Sequence, residues 1–139
     1  MTTVIEDNEL NTELQELYLK SKEWVSDLEF EAEGLMFLRK LINRNLSRLV
    51  EDDCFELIAE TTISAVKIEQ ANADLKNRIV DYLHNFEHLV LQPDIKLELN
   101  LIETHNKLTT DLYTNQSKYE LFKESVFDLT KPRLKESKR

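Results

Sequence analysis

Three groups of side chains in this sequence have the types and spacing to do chemistry. His84 and His88 stand four residues apart with Asp81 three residues before His84, so one helix face carries all three at a spacing that can chelate a transition metal. Both histidines fall opposite the apolar positions of their segment, however, and so face solvent. The chain has three histidines and no Glu-x-x-His motif, too few ligands for a hemerythrin-type site and the wrong pattern for a di-iron carboxylate bundle. Asp81, His84 and His88 are therefore read as surface residues, and no metal or cofactor is expected.

The second group is a polar layer. Glu31 interrupts an apolar series between Trp24 and Leu38, where an unpaired carboxylate is costly and its pKa tends to rise. Asn72 and Asn115 fall at the same height when the chain is folded back on itself. The spacing predicts a contact that fixes register, as buried polar residues do in coiled coils, and the competing reading is an acid or ligand anchor inside a bundle. His105, between Leu101 and Leu108, reads as a core histidine hydrogen-bonded to Tyr82 or Ser21, with a pH-sensitive layer as its alternative. The third group is the lone Cys54. It has no histidine near it in sequence and has Asp52, Asp53 and Glu56 around it, which disfavour a thiolate, so it is read as a buried thiol.

The elements that must position these residues are long helices. Leu10, Leu17, Trp24 and Leu38 recur at seven-residue steps, interleaved with Leu14, Leu28, Leu35, Ile42 and Leu49. The two series lie four and three residues apart and form one apolar seam on a helix predicted to run to about Val50. A helix of about 40 residues is roughly 60 Å long and cannot bury such a seam alone. Asp7, Asn8 or Thr12 is expected to cap it, and Gly34 to mark a close helix crossing. A turn at 51–53, with Asp53 as helix start, leads to a second helix with a seam through Ile58, Ala65, Ile68, Leu75, Ile79, Tyr82, Phe86 and Leu89. A second row (Ala59, Val66, Ala73, Val80) predicts that this helix touches two neighbours. Gln92-Pro93-Asp94 is the next turn, with Pro93 at the first position of a third helix that ends near Leu129. The fold predicted is an all-α, up-down-up bundle of three long antiparallel helices; a break near Thr114–Ser117 would make four.

Composition agrees. One Gly and two Pro in 139 residues leave few turn formers for a many-stranded fold, and 41% hydrophobic residues are enough for a core. Residues 1–130 read as a single domain. Residues 131–139 read as a basic, mobile tail, with Lys131, Arg133, Lys135, Lys138 and Arg139 against Glu136. A net charge of −9 disfavours a nucleic-acid binder. There is no apolar run of membrane-spanning length, the N-terminus lacks a signal-peptide core and the single cysteine fits a reducing compartment, so the expected location is cytoplasmic.

Trp24, Val25 and Asp27 on a long first helix resemble the Trp region of spectrin-type three-helix repeats, which implies a three-helix architecture and carries no function. Phe30, Phe37 and Leu41 are expected to widen the apolar face of the first helix into an interaction surface. The function expected is a non-enzymatic protein–protein interaction or regulatory module, homodimeric through that surface. The alternative is a bundle that binds a small ligand or metal in its polar layer, and a small-molecule ligand is the less expected partner.

Overall fold

The structure, a computed structural model, describes residues 12–131. Leu10, the capping candidates Asp7 and Asn8, and the tail from Pro132 onward lie outside them. The described residues form four helices: α1 (Thr12–Arg44), α2 (Leu46–Glu51), α3 (Phe55–Leu91) and α4 (Ile95–Thr130). Three of them are the long rods expected from the sequence, running up, down and up, and among the described residues there is no strand. The fourth helix arises at Asn45 rather than near Thr114–Ser117. The Asn45 Nδ2 donates to Leu41 O at 2.8 Å, and its backbone N–H is shared between Leu41 O and Ile42 O. This side chain competes for helix carbonyls and turns the backbone, while Leu49 beyond it stays fully buried on the same seam.

α4 is continuous through 114–117. Thr109, Thr110 and Thr114 each return their hydroxyl to the carbonyl four residues back, so these poor helix formers are satisfied within the helix. Two predicted helix starts shift. Cys54 rather than Asp53 is the N-cap of α3, and Asp53 instead takes the left-handed conformation (φ 64°) that closes the turn, which aspartate tolerates better than most residues. Pro93 sits one residue before the N-cap of α4, and Asp94 is the cap, its carboxylate accepting from the Lys96 N–H at 2.9 Å.

The seam folds the chain. Leu14, Leu28, Leu35, Leu38, Leu75, Ile79, Phe86, Leu101, Leu108 and Val126 are essentially inaccessible to solvent. Each such side chain contributes about 2 kcal/mol by leaving water. The core divides into two parts. One surrounds Trp24, Ile79, Phe86 and Leu101, the other Leu38, Ile68, Phe122 and Val126. α3 meets both neighbours through one broad stripe; the row Ala59, Val66, Ala73 and Val80 faces solvent instead, because it lies on the far side of the helix.

Gly34 is a close crossing, as its position on the seam predicted. A Cβ there would run into the Tyr119 hydroxyl, with Cζ at 3.2 Å. Gly34→Ala should therefore lower stability despite the roughly 1 kcal/mol that alanine gains over glycine in a helix. In a Tyr119→Leu background the same change should raise stability by about 1 kcal/mol. Urea unfolding of the four proteins of that cycle measures both signs.

Candidate functional site

The two halves of the core are separated by the predicted polar layer. Glu31 on α1, Asn72 on α3 and Asn115 on α4 are all buried and meet at one height. Glu31 Oε2 accepts from Asn115 Nδ2 at 2.8 Å and from Asn72 Nδ2 at 3.3 Å; Asn72 Nδ2 also donates to Leu28 O at 3.1 Å. Burial pushes the Glu31 carboxyl above the usual carboxylate range and nearby Glu120 adds to the rise, while the two amide hydrogen bonds oppose it. Asn115 Oδ1 is buried without a hydrogen-bond partner among the described residues. A protonated Glu31 would complete a cyclic acid–amide pair by donating its hydroxyl to that oxygen.

Farther along the bundle, beyond Leu75 and Ile79, the Tyr82 hydroxyl lies 2.9 Å from His105 Nδ1, and the His105 ring stacks on Trp24 with centroids 4.7 Å apart. Burial, with a smaller push from Lys20, lowers the His105 pKa, and burial drives the Tyr82 phenol up to about 12 against the opposing influence of the nearby Ser21 hydroxyl. With the imidazole neutral and the phenol protonated, the direction of this hydrogen bond follows the His105 tautomer. His105 is hydrogen-bonded to Tyr82, one of the two partners read from its spacing, and is half-buried at the edge of the core.

The remaining candidates are not gathered into a site. Asp81, His84 and His88 are exposed, and His84 Nδ1 lies 3.5 Å from Glu87. Among the described residues no group of three or more His, Cys, Asp or Glu side chains could hold a metal ion. Cys54 is buried, as expected. Leu41 packs at the edge of the face formed by Leu35, Leu38 and Ile42, but Phe30 (77% exposed) and Phe37 (56%) do not join it and project about a third of a turn from the seam.

The structure adds a feature that the heptad reading missed. On the side away from α1, α3 and α4 part to leave a groove of about 690 Å³. Ile68, Phe122 and Leu129 form apolar parts of its lining, Ser64, Ala71 and Ser125 keep it open, and Leu57 and Leu121 stand at its sides, 51% and 64% exposed. Asn115, the residue with the unpaired acceptor, lines it as well. Its charged residues are Glu60, Lys67, Lys118 and Asp128. Among the described residues none of these four forms an ion pair. α1 and α3 are bridged by Arg39–Glu69 (2.6 Å) and Lys76–Glu29 (3.0 Å), and farther along from the groove α3 and α4 are bridged by Arg78–Asp111 (2.8 Å). The sequence signal was there in the small residues Ser64, Ala71 and Ser125 beside the seam, at positions where bulk would have filled the gap.

Among the described residues no helix is long and apolar enough to cross a membrane. A scan against protein-family models finds no match for this chain, and comparisons with curated proteins and with solved structures find none either.

Proposed function

We propose that this protein is a non-enzymatic protein–protein interaction module and that the α3/α4 groove is its docking surface. The observation that carries the reading is the contrast between the groove and the closed contacts around it. The α1–α3 contact and the part of the α3–α4 contact beyond the groove are tied by ion pairs between helices, whereas the groove keeps exposed leucines and four charges that form no ion pair among the described residues. Exposed apolar side chains rimmed by charged groups are the anatomy of a docking surface. The chain's acidity and its expected cytoplasmic location fit an adaptor or regulatory partner more readily than a nucleic-acid binder.

The test is to place a photo-activatable residue at Leu57 or Leu121 of the full chain, with Phe37 as control, and to irradiate native cells. Covalent protein adducts from the groove positions in excess of the control are expected. Absence of adducts from both groove positions overturns the reading.

A second reading is favoured by one atom. Asn115 lines the groove and its Oδ1, buried behind the groove wall, has no donor among the described residues, so a small molecule with an N–H or O–H group that entered past the wall could satisfy it. Native mass spectrometry of the protein isolated from its source would then show a small adduct that the Asn115→Leu variant lacks.

A further inference from the structure

The four groove charges are not scattered. Glu60 and Asp128 lie toward the end of the groove near the start of α3, and Lys67 and Lys118 lie farther along it. The cross-helix contacts set the heights: Asn72 is level with Asn115 at Glu31, and Tyr82 is level with His105. On that register Ser64 is level with Lys123. Ser64 falls midway between Glu60 and Lys67 on α3, and Lys123 falls midway between Lys118 and Asp128 on α4. The two acid–base pairs, on different helices, therefore share one midpoint height.

A groove with an acidic end, a basic end and a common midpoint is complementary to a copy of itself turned end for end. We propose that the α3/α4 groove is the contact face of a twofold-symmetric antiparallel dimer of this chain, with the axis crossing the groove at Ser64. The proposal rests on the docking reading above and names the partner. It places Glu60 opposite the second copy's Lys67, and Asp128 opposite the second copy's Lys118. The same operation sets Leu121 against Ser125 of the second copy and Leu57 against the level of its Ala71, so each exposed leucine meets a small residue. α3 and α4 of the two copies then form an antiparallel four-helix layer, in which small residues let helices approach closely. A parallel arrangement is excluded by the charges, since it would set acid on acid and base on base.

The test uses two charge-reversed forms of the full chain, Lys67→Glu with Lys118→Glu and Glu60→Lys with Asp128→Lys. All four positions are exposed, and circular dichroism verifies that both forms keep the fold. In sedimentation equilibrium at low salt the wild type should be dimeric, and each reversed form alone should dissociate at least about tenfold more readily. Mixed in equal amounts, the two reversed forms should associate with each other, because every pair across the axis then joins opposite charges. A wild type that stays monomeric, or a dimer indifferent to both reversals, overturns the proposal. The photo-adducts separate its failure from that of the docking reading: adducts of twice the chain mass support the second copy. Adducts with a foreign protein only leave the docking surface standing and remove the second copy, and no adducts remove both.

Discussion

Glu31→Leu should destabilise the bundle by about 1–3 kcal/mol at neutral pH, although it replaces a buried charge with a residue that suits an apolar seam. The carboxylate is the shared acceptor of the Asn72 and Asn115 amides. Asn72 Nδ2 keeps its bond to Leu28 O, but Asn115 Nδ2 is left buried without an acceptor, and a buried donor in that state costs about 1–3 kcal/mol. Glu31→Gln behaves differently, since its amide oxygen can still accept from both asparagines with no ionised group to desolvate. It should be at least as stable as the wild type at pH 7. Denaturant unfolding of the three proteins checks the order Gln, wild type, Leu.

The pH dependence has a definite sign. Burial raises the Glu31 pKa in the folded chain above its value in the unfolded one. Its contribution is then most favourable below the ordinary glutamate pKa and is lost as pH rises through the elevated folded value. Glu31→Gln lacks this term, so its advantage over the wild type should be largest at neutral pH and should shrink on acidification. The charged and titratable groups facing Glu31 are Glu120 and Tyr119, and Glu120 acts in the same direction as burial. His105 runs the other way. Its folded pKa is lowered, so its contribution is present above the ordinary histidine pKa and is lost as pH falls through the depressed value.

Trp24→Ala should cost about 3–5 kcal/mol, the range for truncating a buried tryptophan. Trp24 is 8% exposed, belongs to the part of the core built with Ile79 and Leu101, and stacks on His105. Its loss would admit water to the His105 ring and weaken the desolvation that lowers the His105 pKa. The same variant should therefore show the His105 titration, followed by proton NMR of the ring, moving up toward the ordinary histidine value. A stable Trp24→Ala with an unmoved His105 would mean that the stack contributes nothing.

The three rods, their directions and their register were legible in the sequence because each rests on a period that side chains cannot evade. Seven-residue spacing placed Leu14, Leu28, Leu35 and Ile79 inside, and counting from the turns placed Glu31 level with Asn72 and Asn115. What escaped depended on local competition for backbone groups. Asn45 breaks the first helix because its amide bonds to Leu41 O, an event of one side chain that leaves the apolar period unchanged through Leu49. Asp53 could have capped α3 but is used for a left-handed turn, since the reversal needs that conformation more than the helix needs a cap. On a helical wheel Phe30 and Phe37 stand next to Leu41, which does reach the core, but at 100° per residue they lie about a third of a turn from the seam and stay exposed. The groove was the hardest to foresee, because it is defined by what Ser64, Ala71 and Ser125 do not fill.

The proposed contact face lies on α3 and α4, whereas the sequence alone points to α1, where Phe30 and Phe37 are exposed. The two surfaces can be compared in one experiment, by NMR of the full chain with an inert paramagnetic probe in solution at rising protein concentration. The account predicts that the methyl groups of Leu57 and Leu121 become shielded from the probe as concentration rises while the rings of Phe30 and Phe37 stay accessible. Shielding of Phe30 and Phe37 with Leu57 and Leu121 still open to the probe would contradict it.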